Sequence, residues 1–207
     1  MSSIGDGRYS EILFVSFYTG KYAMAAGELY DSLLRFNLRN NLYYSGDKGS
    51  WYLNTQYKPE FIRNVLHATN VDIVWIDSDA VVKKHPQFLF DLVNSDYDVA
   101  AYIHKSDEHL PRLCSGTIYL ANNDRVKGMV DLWCKDTKDR VKEDPKTWDQ
   151  DTLAAALMVS GKCEFQYLPP EYCMWDDVKK KFPKIDPVIE HKQMSRQILQ
   201  EQGFDNV

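Results

Sequence analysis

The sequence of 207 residues lacks several features that would place it in a specialised class of protein. It has no apolar run near the ~18 residues that a membrane-spanning helix needs, so no membrane span is expected. The segment 1–11 is polar and has no apolar core of a signal peptide, so none is expected. No long Lys/Arg block is present and the formal net charge is −5, which argues against nucleic acid as the main partner.

Cysteine is scarce, and its spacing carries no metal-binding motif. The chain contains no C-x-x-C pair, so a zinc site is not supported; the four cysteines are Cys114, Cys134, Cys163 and Cys173. We interpret them as reduced, mostly buried thiols, which predicts a cytoplasmic protein. The chain also lacks internal repeats and clear linkers, so we expect a single domain over residues 1–207.

Strand-like and helix-like segments alternate along the chain. Apolar runs predict strands over 11–18, 42–44, 73–76, 98–104, 115–120, 164–168 and 187–191. Apolar residues at helical spacing predict helices over 23–36, 58–66, 86–94, 125–138 and 152–159, and after 191. The segment 45–57, which contains two glycines, predicts a long loop. This alternation implies βαβ crossovers and a largely parallel sheet.

The strongest functional signal is the segment 71–82, VDIVWIDSDAVV. Its apolar run 73–76 predicts a central strand that is buried on both faces. Asp77 and Asp79 follow at the strand end, where open α/β sheets bind ligands. Two carboxylates there repel each other, and a divalent cation relieves the repulsion; oxygen ligands favour Mg²⁺ or Mn²⁺ over zinc. The alternative is an ordinary Asp N-cap beside a solvated loop acid.

Five segments, in this order, resemble the nucleotide-sugar-dependent glycosyltransferases of the GT-A fold: VSFYTG (15–20), WIDSDAVV (75–82), SGTIYL (115–120), WDQDTLAAAL (148–157) and VIEH (188–191). The likeness spans about residues 10–195. Among viral members of the family, the chain resembles a small glycosyltransferase domain of a large algal (chlorella) virus. It implies a single-domain, GT-A-like (Rossmann-like) α/β/α sandwich with a mostly parallel sheet, and hexosyltransferase activity. A viral protein of this kind would act in the host cytoplasm. Because the chain is short for the class, we hypothesise that it is the N-terminal domain of a longer protein.

The resemblance also implies a metal site. Asp79 is expected to ligate the ion, Asp77 to bind the ion or the ribose, and His191 to complete the site. A structural histidine is the alternative for His191. A histidine ligand favours Mn²⁺ over Mg²⁺.

The donor, with UDP-glucose as the default, is expected to contact Tyr18, Thr19, Lys58, Arg63, Asp77, Ser78, Ser115, Gly116 and Thr117. Tyr18 would stack on the uracil, and Lys58 and Arg63 would reach the base or the phosphates. Gly116 would leave room for the donor sugar.

Asp149 and Asp151 are the expected catalytic residues. In an inverting transfer one of them would deprotonate the acceptor hydroxyl, and in a retaining transfer it would orient or stabilise an oxocarbenium-like donor. The alternative is a helix N-terminus rich in acids, which the helix dipole favours. Trp148 and Trp175 are candidate platforms for a glycan or glycoprotein acceptor.

Two other functions stay open at this point. In a haloacid-dehalogenase-type phosphohydrolase, Asp77 would be the nucleophile and Asp79 the acid/base, with Mg²⁺ as cofactor. Two βα units precede the acidic pair and no convincing late acidic motif follows, which argues against this reading. A non-catalytic nucleotide-sugar-binding module is the second alternative.

Overall fold

A computed structural model describes residues 12–93, 95–105 and 111–196, and strands and helices alternate along this part of the chain. The strands are β1 (Ile12–Tyr18), β2 (Asn40–Tyr44), β3 (Asp72–Ile76), β4 (Ala80–Val82), β5 (Val99–His104), β6 (Arg112–Leu120), β7 (Phe165–Tyr167) and β8 (Ile189–His191). The helices are α1 (Ala23–Arg35), α2 (Trp51–Gln56), α3 (Lys58–Ala68), α4 (Gln87–Asp91), α5 (Asp124–Glu143), α6 (Asp149–Ser160) and α7 (Asp176–Lys181).

Six strands form the main sheet in the order β2-β1-β3-β6-β5-β7. The β1–β2, β1–β3 and β5–β7 pairs are parallel, while β6 runs antiparallel to both β3 and β5. Five strands therefore point the same way, which confirms the mostly parallel sheet. The expected central strand is β3, and Ile73, Val74 and Ile76 are fully buried in it.

Both faces of the sheet are covered, because side chains of buried strands alternate between them. Leu13, Val15 and Trp75 point to one face, where they pack against α3, α5 and α6. Phe14 and Val74 point to the other face, where α1 and α4 lie. Burying a Leu- or Phe-sized side chain contributes about 1.5–3 kcal/mol, so the two layers hold the sheet from both sides. This is the expected α/β/α sandwich.

A second, two-stranded sheet joins β4 to β8 in antiparallel register. Ala80 pairs with His191, so the end of the described chain returns to the acidic segment that follows β3. On its other side β4 is held by α1, because the Val82 N–H donates to the Ser32 hydroxyl at 3.0 Å. This small sheet brings residues 79 and 191 together.

The structure corrects the predicted secondary structure in several places. The predicted loop 45–57 contains α2, whose N-terminus is capped by Ser50: the Leu53 N–H donates to the Ser50 hydroxyl at 3.2 Å. β6 starts at Arg112 rather than at residue 115, and α7 was not predicted. A helix is expected after residue 191, and residues 194–196 are helical. The rest of the expected helix lies outside the described residues. No helix of the described ranges has the length and apolar character to cross a membrane.

Candidate functional site

The carboxyl ends of β1 and β3 open into a cleft of about 580 Å³. Its lining comes from segments far apart in the sequence, within 17–22, 51–58, 75–79, 112–116, 148–150, 173–177 and 191–196, together with His104. The sheet reverses strand direction here, between β3 and β6. A cleft beyond the strand ends is where open α/β sheets bind ligands, so this is the candidate site.

A bulge in β6 shapes the floor of the cleft. Ala101 of β5 pairs with Ile118, whereas the next residue, Tyr102, pairs with Cys114. The segment 115–117 is therefore displaced from β5, and its backbone turns to β3, where the Asp77 N–H donates to the Gly116 carbonyl at 2.8 Å. Bulges beside active sites re-aim side chains in this way. The SGT motif owes its place in the cleft to this irregularity.

Asp77, Asp79 and His191 form a compact cluster, with one candidate ligand atom from each lying within 4.8 Å of the others. A tight turn after β3, closed by a bond from the Ala80 N–H to the Asp77 carbonyl at 3.0 Å, brings Asp79 back beside Asp77. The β4–β8 pairing then supplies His191. The residues expected to bind the metal are thus brought together.

The charges in this cluster favour a divalent cation. Burial, followed by the charge of Asp77, raises the pKa of Asp79. Burial lowers the pKa of His191, so its imidazole is neutral at physiological pH. Among the described residues no cationic side chain forms an ion pair with Asp79. Two carboxylates and a neutral imidazole are suitable ligands for Mn²⁺, and the two carboxylates are suitable ligands for Mg²⁺. The three side chains therefore fit a divalent cation.

Gly116 leaves room for the candidate ligands themselves. A Cβ at this position would lie 2.9 Å from Cε1 and 3.2 Å from Nδ1 of His191, and 3.3 Å from Oδ2 of Asp77. The first distance is shorter than real Cβ contacts allow. We predicted that this glycine makes space for the donor sugar; the space next to its Cα is occupied by His191 and Asp77.

Thr117 contacts His191 and does not line the cleft among the described residues. Its side chain is fully buried, and its Oγ1 lies 3.0 Å from Nε2 of His191. The predicted contact with the donor is therefore not supported by its position. Thr117 lies behind the candidate metal site.

Lys58 begins α3 and, at 4% exposure, extends under the cleft floor. Its ammonium contacts Asp149 Oδ2 at 2.8 Å and Asp77 Oδ1 at 3.0 Å, and also donates to the Ser115 carbonyl and hydroxyl at 3.2 and 3.1 Å. Burial alone lowers the pKa of Lys58, but the charges of Asp149 and Asp77 outweigh burial and hold the pKa above its ordinary value. Its donors are thus directed at protein acceptors. Lys58 also lines the cleft, so its predicted contact with the base or the phosphates stays a prediction.

The two expected catalytic acids differ in their surroundings. Asp149 lines the cleft and is buried; besides Lys58, it accepts a bond from the Ser115 hydroxyl at 2.7 Å. Asp151 is exposed, does not line the cleft, and faces Arg112 at 3.4 Å. Gln150, between them, lines the cleft instead. The structure therefore places one of the two acids at the candidate site.

Arg63 also lies away from the cleft, since its guanidinium faces Asp131 of α5 at 3.9 Å and both side chains are exposed. The predicted donor contact of Arg63 is therefore not supported. The remaining predicted donor-site residues do line the cleft: Tyr18, Thr19, Asp77, Ser78, Ser115 and Gly116. Trp148 and Trp175 line it as well.

Sequence reasoning missed several cleft residues, among them Tyr22, Trp51, Trp75 and Gln150. Trp75 could have been found, because it precedes Asp77 by two residues and shares its side of the strand; its indole N–H donates to Asp77 Oδ1 at 3.0 Å. Burial, together with the charges of Asp79 and Asp77, raises the pKa of Tyr22, but no local pattern marks this residue.

Solved structures share this fold at low sequence identity. A glycosyltransferase described as involved in the glycosylation of the major capsid of PBCV-1 is 11% identical, with a TM-score of 0.70, over 93% of this chain and 99% of its own. The galactosyltransferase LgtC is 10% identical, with a TM-score of 0.56, over 88% and 86%. The glycosyltransferase GlyE of Streptococcus pneumoniae TIGR4 is 17% identical, with a TM-score of 0.55, over 94% of this chain and 61% of its own.

No curated protein sequence matches the chain. A profile of the nucleotide-diphospho-sugar transferases does match, over residues 39–195, which include the acidic turn after β3, the β6 bulge, the start of α6 and the histidine of β8. The matched region contains every candidate metal ligand and covers most of the chain. The chain belongs to the nucleotide-diphospho-sugar transferase family and is a glycosyltransferase.

Proposed function

We propose that the protein is a divalent-cation-dependent glycosyltransferase that moves a sugar, by default glucose, from a UDP-sugar to a glycan or glycoprotein acceptor. The observation that carries the proposal is the cluster of Asp77, Asp79 and His191 beside the buried Asp149 in one cleft. Family membership supplies the class of donor, a nucleotide-diphospho-sugar.

Asp77, Asp79 and His191 would hold the cation, with Mn²⁺ preferred because one donor is an imidazole. A bound cation would neutralise the charge that develops on the leaving diphosphate. Oδ1 of Asp77 accepts bonds from Lys58 and Trp75, so Oδ2 is the oxygen that remains for the cation. Both contacts fix the orientation of the Asp77 carboxylate and leave its Oδ2 available to the cation.

Protein donors fix the orientation of Asp149. Its Oδ2 accepts from Lys58 and Ser115. We assign Asp149 a binding and charge-stabilising role at the sugar, because its carboxylate is fixed in the cleft. Gln150, next to it in the cleft, supplies a neutral amide.

Aromatic side chains line the cleft. Tyr18, which contacts the Tyr44 ring at a centroid distance of 5.8 Å, is assigned to the uracil together with Thr19. Trp148 and Trp175 are assigned to the acceptor. The capsid-glycosylation role described for the similar PBCV-1 enzyme supports a glycoprotein acceptor.

Two features of the proposal extend beyond the cleft. We propose that the chain of 207 residues forms one transferase domain. A cytoplasmic location stays a prediction from the cysteine content, and the four cysteines are unpaired thiols in the structure.

Calorimetric titration of UDP and of UDP-glucose, with Mn²⁺ and then with EDTA, tests the proposal. We expect binding of both with Mn²⁺ and loss of binding with EDTA and in Asp79→Ala. Asp151→Asn is the matched control, because this acid lies outside the cleft and should leave binding unchanged. Binding that persists in EDTA would refute the metal assignment. UDP-glucose binding without hydrolysis or transfer would favour the non-catalytic binding module. Release of phosphate from a simple phosphomonoester would favour the phosphohydrolase.

A further inference from the structure

Among the described residues, Arg112 is a cation of the cleft that forms no ion pair with an acid of the cleft. The other Lys and Arg side chains of the described lining do form such pairs. The Lys58 ammonium contacts Asp149 at 2.8 Å. The Arg196 guanidinium contacts Asp177 at 2.8 Å. The charge of Arg112 is therefore the one that a ligand in the cleft can use.

Two side chains position the guanidinium of Arg112. Its central carbon lies 4.3 Å from the centroid of the Trp148 ring, which is a cation–π contact. Its Nη2 lies 3.4 Å from both carboxylate oxygens of Asp151, longer than the roughly 2.7–2.9 Å of a tight charge-assisted hydrogen bond. Within the described ranges, Nε and Nη1 donate to no acceptor. A stacked guanidinium with free N–H groups is preorganised to bind a planar anion.

The Trp148 ring that supports this guanidinium is fixed as well. Trp51 packs against it edge-on, with a centroid distance of 5.6 Å and an interplanar angle of 75°. The loop before Trp148 is anchored by the side-chain amide of Gln56, which donates to the carbonyls of Pro145 and Thr147 at 2.7 and 3.0 Å. Because the support is already ordered, a ligand of Arg112 pays little to order it.

His104 places a second polar group beside Arg112. The two residues pair directly across β5 and β6, so their side chains point to the same face with Cβ atoms about 4.5–5.5 Å apart. Both line the cleft. Burial, followed by the charge of Lys181, lowers the pKa of His104, so its ring is neutral at physiological pH and carries one N–H donor.

The place of Arg112 in the cleft indicates which part of a substrate carries the anion. On β6, Arg112 lies three residues before Ser115, whose hydroxyl donates to Asp149 at 2.7 Å. Its guanidinium stacks on Trp148, the residue before Asp149. These are the residues assigned above to the sugars, whereas the diphosphate is assigned to the cation. A carboxylate on a sugar matches the planar guanidinium, because it accepts two parallel hydrogen bonds.

We propose that Arg112, with His104 beside it, binds the carboxylate of a uronic acid, so that one of the two sugars in the transfer is a hexuronate. The inference rests on the proposed function and narrows its substrate class. The carboxylate belongs either to the donor sugar, which is assigned to Asp149, or to the acceptor sugar, which is assigned to Trp148. Two binding experiments distinguish these sources.

Calorimetry with Mn²⁺ tests the donor sugar. If the donor carries the carboxylate, UDP-glucuronate should bind about 10–100-fold more tightly than UDP-glucose, as expected for hydrogen bonds to a charged group. Arg112→Gln should remove this preference. Arg63→Gln is the matched control and should keep it, because Arg63 is an exposed arginine outside the cleft. If Arg112→Gln weakens UDP, which has no sugar to transfer, as much as UDP-glucuronate, the guanidinium serves the diphosphate and the proposal is overturned.

NMR titration of the protein saturated with UDP and Mn²⁺ tests the acceptor sugar. If the acceptor carries the carboxylate, methyl glucuronide should bind about 10–100-fold more tightly than methyl glucoside, and Arg112→Gln should make the two equal. Arg112→Lys keeps the charge without the planar fork and should reduce the preference, so this variant and the wild-type ratios decide if Arg112→Gln does not fold. The proposal fails if neither experiment shows a preference for the carboxylate, or if the preference survives in Arg112→Gln.

These outcomes separate this inference from the proposed function. A wild-type protein that binds no UDP in the presence of Mn²⁺ would overturn the proposed function and, with it, the sugar subsite. Binding of UDP combined with equal affinities for the charged and the neutral sugars would overturn only the role of Arg112.

Discussion

Replacing Lys58 with methionine tests whether the ammonium holds the site together. The side chain is 4% exposed and is the shared partner of Asp77 and Asp149. Its loss leaves two acceptors of an ion pair without their cation, and breaking a buried pair on one side destabilises by about 3–5 kcal/mol. At about 2–4 °C per kcal/mol for a domain of this size, the melting temperature should fall by about 6–20 °C.

Arg63→Met on the same helix is the matched control. Arg63 faces Asp131 at 3.9 Å with 40% of its side chain exposed, and such pairs contribute about 0–1 kcal/mol. Lys, Arg and Met have similar helix propensities, so the two variants differ chiefly in the buried charges that they affect. Thermal and urea unfolding of both proteins should therefore separate them clearly.

A double variant distinguishes loss of the charge network from loss of packing. In the Lys58→Met background, Asp149→Asn removes one of the carboxylates left unpaired, so it should recover part of the lost stability. In the wild-type background the same change removes a partner of Lys58 and should destabilise. The coupling energy between the two sites should be about 0.5–3 kcal/mol. If Lys58→Met unfolds like Arg63→Met, or if the two changes are additive, Lys58 is not the central cation of the site.

Further predictions concern the candidate metal site. Burial and the charge of Asp77 raise the pKa of Asp79, so the stability that this residue contributes is present below its ordinary pKa and is lost as pH rises through the raised pKa. Asp79→Asn should therefore stabilise the metal-free protein at pH 7 by about 0.5–2 kcal/mol, measured by thermal unfolding. The same variant should abolish Mn²⁺ binding. The pKa of His191 is lowered, so its neutral form contributes stability that is lost as pH falls through that value. Protons on either ligand compete with the cation, so Mn²⁺ affinity in titrations should fall as the pH is lowered, and an unchanged affinity would contradict the assignment. Gly116→Ala should destabilise by about 1–3 kcal/mol and weaken Mn²⁺ binding, since its Cβ meets the imidazole at 2.9 Å; equal Mn²⁺ affinity would contradict the packing argument.

Local sequence patterns were sufficient to predict the framework. The run 73–76 contains only apolar residues, and it forms an interior strand, β3, that is buried on both faces. The Asp77–Asp79 pair and His191 meet as expected. By contrast, α2 was missed because 51–56 has no apolar periodicity facing a core; its start depends on a single cap, Ser50.

Side-chain partners were the part that the sequence could not supply. Lys58 and Arg63 begin and continue one helix and carry the same charge, yet one is buried under the cleft and the other faces α5. Their difference depends on where β6 and α6 pass in space, which no local pattern records. Asp149 and Asp151 differ for another reason: on a helix, residues two apart point to different sides.

The bulge in β6 explains why the SGT motif was located correctly but interpreted only in part. A regular strand would alternate its side chains, so that residues 115 and 117 share a face and residue 116 lies opposite. In the structure the three residues leave the β5 register, Ser115 bonds to Asp149, Gly116 receives the His191 ring, and Thr117 bonds to its Nε2. Each of these contacts is made to the protein, so the motif builds the surroundings of the ligands. A small-residue motif after a bulge can therefore support a metal site as well as line a sugar-binding site. Gly116→Ala separates these two roles: weaker Mn²⁺ binding measured without a donor indicates the first role.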